Sequence, residues 1–331
     1  MAIEPGSLYQ SPLLSNVAVN YKNRTFIAER VLTPLSVPKL ECQYLEWDRA
    51  AHFKLAQTRT TPNAAPGQLE LKATKKSFTL GTHALSDYTD EQERALAGPG
   101  IALEAYKTEA LTAAMRLRLE HDVASALRDP TQMPLNTTVV GNDQWDDYVH
   151  SDPASQILEQ ADRMLIKPNV FIGGRRVITA LRRHPKILDV TKYTERGKVS
   201  MEALADYLEV DEILTGEAFV DTAALGQPES KDYVWGLDAI LGYRTKETPS
   251  PLMDQPTLGY LPRWGTGSIG PDGSAMAGAA AGAPPWRVYT ARNPFVGTGE
   301  GSTFVKVETS HGVLLSGAAV MGYLFKNAVS A

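Results

Sequence analysis

Gly265-Thr266-Gly267-Ser268-Ile269-Gly270 has the spacing of a dinucleotide-binding turn. In such a turn a strand enters, a helix leaves, and the helix amides meet the pyrophosphate. Here Pro271-Asp272-Gly273 follows and forbids that helix, so the segment is expected to be a loop. Gly297-Thr298-Gly299-Glu300-Gly301 lacks the lysine of a phosphate loop and reads as a turn. Asp143, Asp146, Asp147, His150 and Asp152 are donors of the kind calcium accepts. Their spacing is not that of a calcium loop and no glycine turn accompanies them, so a solvated acidic loop is the simpler account. The histidines His52, His83, His121, His150, His184 and His311 form no HExxH or HxH pair, which argues against a metal protease or oxygenase. No GxSxG elbow is present. Cys42, the lone cysteine, excludes an intrachain disulfide, fits a reducing compartment and has no nearby histidine to lower its pKa. Arg175, Arg176, Arg182 and Arg183 share roughly one face of a helix, either to meet phosphate or a neighbour's carboxylates or simply to be solvated. The expectation is therefore no catalytic residue, no cofactor and no metal. An enzyme whose site is assembled from distant residues stays open as an alternative.

The composition is that of an ordinary globular chain, with 43% hydrophobic and 21% charged residues. A net charge of −5 gives no general attraction to nucleic acid or anionic membrane. Met1–Gln10 lacks the basic start and apolar core of a secretory signal. The longest uncharged apolar stretch, Gly312–Phe325, is shorter than the ~20 residues of a membrane helix and reads as buried strand.

The elements that would position any site are unusual. Leu45, Trp47, Phe53 and Leu55 alternate with polar Glu46, Asp48, His52 and Lys54. Leu69, Leu71 and Ala73 alternate with Glu70, Lys72 and Thr74. Period two predicts a two-armed β-ribbon around a loop at Gln57–Gly67. The apolar face then shifts to Phe78 and Leu80, which predicts a bulge near Lys75 and Lys76. Such a ribbon is marginal alone because it has nothing to bury its apolar face on. Another copy of the chain would supply that surface.

A helical piece is expected over Asp87–Ala97, broken at Gly98-Pro99-Gly100. Ala102–Arg128 holds neither Gly nor Pro, and Leu103, Tyr106, Ala110, Ala113, Leu117, Ala124 and Leu127 form one predicted apolar stripe. Arg116 and Glu120 are expected to pair on its polar face. At 1.5 Å per residue this helix runs on the order of 40 Å, a structural spine. Ser151-Asp152-Pro153 opens a further helix. Asn169–Ile172, Asp211–Thr215 and Asp232–Tyr243 read as strands, and Arg175–Arg183, Lys186–Lys192 and Ser200–Leu208 as helices. Thr248–Pro285 reads as loop, followed by strands at Trp286–Ala291, Thr303–Thr309 and Val313–Phe325.

This order resembles the major capsid proteins of tailed bacteriophages, the Hong Kong 97-type shell fold of the α+β class. Asn16–Tyr21 with Phe26–Val31 looks like their N-terminal arm. Pro168–Gly173, Ala180–Leu188 and Gly322–Phe325 look like segments of their axial domain and closing strand. The resemblance implies an N-arm at 1–41, an extended loop at 42–80 and a peripheral domain at 81–151 with its spine at 102–128. It further implies an axial domain at 152–292 and returning strands at 293–331 that complete both sheets. Function would be self-assembly, as pentamers and hexamers, into an icosahedral head shell around double-stranded DNA held by non-specific contacts. Portal, scaffold and decoration proteins are the other implied partners, and no membrane is. The virion, assembled in the bacterial host cytoplasm, is the implied location. The ribbon residues expected at subunit interfaces are Trp47, Phe53, Leu55, Arg59, Pro62, Pro66, Leu69 and Leu71. Leu103, Tyr106, Ala110, Leu117 and Leu127 are expected to pack the spine. An encapsulin-like compartment sharing the fold is the alternative shell.

Overall fold

The computed structural model describes residues 9–10, 25–47, 58–59, 73–97, 102–191, 200–223, 227–247, 253, 255–265, 286–293 and 301–330. In chain order the elements are β1 (Tyr9–Gln10), α1 (Ala28–Val31), β2 (Thr33–Val37), β3 (Glu41–Trp47), β4 (Ala73–Thr79), β5 (Gly81–Thr89), α2 (Glu91–Ala97) and α3 (Leu103–Leu127). They continue with β6 (Asn136–Thr138), α4 (Pro153–Arg163), β7 (Val170–Gly174), α5 (Arg175–Arg183), α6 (Pro185–Thr191), α7 (Met201–Tyr207) and β8 (Glu212–Gly216). Last come β9 (Phe219–Asp221), β10 (Lys231–Tyr233), β11 (Ala239–Gly242), β12 (Tyr260–Trp264), β13 (Arg287–Asn293), β14 (Ser302–His311), α8 (Ala318–Met321) and β15 (Gly322–Lys326).

Local chemistry explains several boundaries. Asp152 caps α4 by accepting the Ser155 N–H, and Pro153 fills the first turn, where no intrahelical donor is needed. Ser200 caps α7 through the Ala203 N–H. The spine α3 ends on a turn rather than in solvent. Arg128 donates to Asp238 Oδ2 at 2.5 Å and to the Val234 carbonyl at 3.0 Å. Gly236 beneath it has φ +55°, and a Cβ there would lie 2.4 Å from an Arg128 nitrogen. Only glycine combines that left-handed backbone with the close approach.

Two sheets flank the spine. One runs β1-β13-β14-β12-β2, with β5 paired along the other edge of β14. The other runs β6-β15-β11-β7-β8, with β7 and β8 parallel and joined through α5, α6 and α7. Side chains of the second sheet alternate between two cores. Val170, Ile172, Ile240, Leu214 and Leu324 face Leu119, Val123 and Leu127 of the spine. Phe171, Leu241, Tyr323 and Phe325 face Ile157, Val177, Leu181 and Leu204 on the opposite helices. Val288, Val305 and Val307 of the first sheet reach the same core as the spine. The spine is therefore the layer both sheets share. Buried aliphatic side chains of this kind each contribute about 1.5–3 kcal/mol over exposure.

Several expectations need correction. Asp87–Thr89, read as helix, is the end of β5, and the helix begins at Glu91. Tyr260–Trp264, read as loop, is strand β12, which lies parallel to β2 and meets β14 at His311. It and β13 sit in the sheet that carries β5, although both fall within the stretch assigned to the axial domain. Val313–Phe325 is not strand throughout, because Ala318–Met321 turns helical before β15. The ribbon register runs unbroken from Glu41↔Thr79 to Trp47↔Ala73, so the expected bulge is absent. The glycine turn at 266–270 lies outside the described residues.

Candidate assembly surface

The ribbon is built on its own two strands. β3 and β4 form a separate two-stranded sheet that joins neither of the larger ones. At its base Cys42 and Phe78 stand opposite each other and pack on Leu35, Val37, Leu80 and Tyr260. Further out the same face carries the Lys76–Glu46 ion pair at 2.5 Å, and the apolar role passes to the other face at Leu45. Leu45 is 42% exposed. This is why the apolar face changes without a bulge: the base is covered by the subunit's own body on one face, and the outer part is uncovered on the other. Trp47 pairs with Ala73 at the outer end. Arg59 is exposed. Phe53, Leu55, Pro62, Pro66, Leu69 and Leu71 lie outside the described residues.

β5 follows the ribbon directly and presents Leu85 and Tyr88, each 41% exposed. Lys107 of the spine holds this corner together, donating to the Tyr88 carbonyl at 2.6 Å and to Glu93 at 2.8 Å, with Asp87 at 3.2 Å. Leu85 and Tyr88 lie on opposite faces of β5, and the Tyr88 ring packs against Phe304 at 5.2 Å.

The spine buries a different face from the predicted one. Tyr106 is 68% exposed and Ala110 is exposed, while Leu103 and Leu117 are half-buried and Leu127 is fully buried. The buried set is Thr108, Thr112, Met115, Arg116, Leu119, Glu120, Val123, Ala124, Ala126 and Leu127. Thr108 and Thr112 enter it because each hydroxyl donates to the carbonyl four residues back, at 2.6 and 2.7 Å. Arg116 and Glu120 are buried rather than on a polar face. Arg116 lies over the Trp286 ring at 5.5 Å. Glu120 accepts the Trp235 indole N–H at 2.6 Å, the Ala28 N–H at 2.7 Å and the Ile27 N–H at 3.0 and 3.1 Å. Burial pushes its carboxyl up from the usual range, and these donors pull it back. Glu120 thereby ties α1 to the spine.

The other sequence-marked sets do not converge on a reaction. Asp147 accepts from the backbone of Val149 and from His150, Asp146 accepts the Ser330 N–H, and Asp152 is a helix cap. The acidic loop thus uses its oxygens to hold itself. Arg175, Arg176, Arg182 and Arg183 are exposed on α5. Arg175 and Arg176 line a surface cavity of about 390 Å³ with Asp146, Tyr148, Tyr233 and Ser330. Cys42 is half-buried, with Sγ 3.4 Å from the Lys39 carbonyl. No described helix is long and apolar enough to cross a membrane.

Comparison with known proteins follows from this geometry. No family model matches the chain. A phage-related protein from Bordetella bronchiseptica superposes with a TM-score of 0.72 at 23% identity, over 97% of this chain and 99% of that one. The capsid of Cyanophage P-SCSP1u superposes at 0.56 and 9% identity, over 93% and 89% of the chains. The chain has the Hong Kong 97-type capsid fold. An encapsulin from Synechococcus elongatus shares it at 0.52 and 10% identity, over 93% and 90%, so this capsid fold alone does not separate virus from compartment. Sequence does. The chain is 29% identical to the major capsid protein of Pseudomonas phage JBD67 over 324 residues, 97% of both chains. It is 25% identical to the major capsid protein of Burkholderia phage BcepMu over 273 residues, 76% of this chain and 82% of that one.

Proposed function

We infer that this chain is a phage major capsid subunit, a structural protein that self-assembles into an icosahedral head shell. The observation that carries the reading is the ribbon. Its base is half-buried against the subunit, its outer apolar face is exposed, and the chain matches a phage major capsid protein nearly end to end. A two-stranded ribbon needs a surface, and a second copy offers one. The relatives in sequence are phage capsid proteins, which favours a virion over a cargo compartment.

Finer features belong to the same reading. Subunits would gather as pentamers and hexamers, with Leu45, Leu85 and Tyr88 laid against a neighbour. The sheet holding β7 and β11 would form the axial domain, and the sheet holding β14 the peripheral one, with β12 and β13 assigned to the latter. Double-stranded DNA would be enclosed by non-specific contact, and portal, scaffold or decoration proteins would be further partners. Assembly would take place in the bacterial host cytoplasm. The role is structural rather than enzymatic, a reading supported by the capsid proteins the chain resembles in sequence.

Electron microscopy of the purified chain tests this. Closed shells of uniform size are expected. A folded monomer that stays monomeric at high concentration overturns the reading.

A further inference from the structure

His83, Asp122 and His311 come from three different elements. His83 is on β5, Asp122 on the spine α3, and His311 ends β14. The β5–β14 register sets Thr309 opposite His83 and Gly81 opposite His311, so both histidines point to one face of the sheet. Gly81 leaves room there, since a Cβ on it would lie 3.2 Å from His83 Nε2. The two imidazoles lie 4.5 Å apart between centroids. Asp122 Oδ2 is 3.7 Å from His311 Nε2. One donor atom from each of the three residues falls within 4.8 Å of the others, a set unique among the described residues.

A second observation points to a ligand. His311 is 4% exposed, yet neither ring nitrogen has a hydrogen-bond partner. A buried polar group without a partner is uncommon in native proteins. Arg263 nearby opposes a cation, but its guanidinium is engaged by Glu29 at 2.5 Å. Arg118 touches both oxygens of Asp122, at 3.0 and 3.1 Å, and leaves further lone pairs on each.

We propose that His83, Asp122 and His311 bind one first-row divalent cation, Zn²⁺ by this donor set, and so pin the strand that leaves the ribbon to the spine helix. Two imidazoles and one carboxylate suit zinc and not the all-oxygen preference of calcium or magnesium. In the tetrahedral geometry zinc adopts, two donors at about 2.0–2.2 Å stand about 3.4 Å apart. Asp122 and His311 are already near that spacing, a pair at the 4.8 Å limit must close by about 1.4 Å, and the half-exposed His83 ring is the part free to swing.

The test uses the full-length chain, stripped with a chelator and titrated with Zn²⁺ by calorimetry, with Co²⁺ as a visible-absorption probe. One ion per subunit is expected. H83A and D122N should each bind at least about tenfold more weakly. H83F, which keeps the ring stack, serves in place of H83A should the latter not fold. No uptake by the intact chain overturns the site. So does uptake that either variant weakens less than tenfold, because exposed imidazoles such as His121 would then account for it.

Discussion

The carboxylate of Glu120, fully buried on the spine helix, accepts the backbone N–H of Ala28 at 2.7 Å across 92 residues of sequence. Ile27 and the indole of Trp235 donate to the same group. The short helix α1 has no side-chain cap of its own. Glu120 supplies that cap from the spine, so the placement of α1 and that of the long helix are a single structural decision.

Replacing Glu120 tests the linkage. Every partner is a donor, so only an acceptor with two open oxygens satisfies them. E120Q turns an NH2 toward an N–H, and E120A leaves three buried donors unmet. Each is expected to lower subunit stability by about 1–3 kcal/mol, with E120A the more severe. Denaturant unfolding of both variants measures it, and wild-type midpoints would contradict the assigned role.

The two faces of the spine make opposite predictions. Leu119 is 2% exposed within the shared core, and L119A is expected to cost about 2–5 kcal/mol. Tyr106 is 68% exposed, so Y106A should stay within about 0.5 kcal/mol of wild type. Thermal or chemical unfolding of the subunit distinguishes them. Equal losses would mean that the buried face has been misplaced.

Much of the fold was legible, and the misreadings share a cause. The ends of α3 could be read because Ala102–Arg128 has no breaker, and α4 because Asp152-Pro153 is a local cap. β5 was misread at Asp87–Thr89 because its acidic residues resemble a helix start, whereas its strand state comes from pairing with Thr303–Val305. β12 hid behind proline. Pro262 is tolerated there with no N–H to give, and its carbonyl still accepts from Gly312 at 3.0 Å. Arg116 and Glu120 looked like a surface pair at i,i+4 spacing, and nothing local announces Trp286 or Trp235 as their real neighbours. His83, Asp122 and His311 carry no motif because no two of them share an element.

The ribbon predicts a separation of folding from assembly. Leu45 is opposite Lys75, on the face the subunit leaves open. L45D should cost the isolated subunit no more than about 1 kcal/mol, the span of strand preference. Shell formation should fall sharply, because a neighbour would have to bury a carboxylate. Particle counts by electron microscopy alongside subunit unfolding read both quantities. Normal shells from L45D would remove the ribbon from the interface.

His184 gives the subunit an acid limit. The ring is buried at the end of α5, its Nε2 is 3.1 Å from Ser151 Oγ, and the Tyr148 ring stands 5.8 Å away. Burial pushes its pKa down, Lys186 adds to this, and Asp152 opposes it. The unfolded chain, with an ordinary value near about 6.5, therefore binds the proton more readily than the folded one. Stability from this site is complete above about 6.5 and is lost as pH falls from there through the depressed folded value. H184F keeps an apolar ring and cannot titrate. Its unfolding midpoint should vary less with pH than wild type across that window, even if its stability at neutral pH is lower for want of the Ser151 contact. Parallel pH slopes for the two proteins would place the acid limit elsewhere.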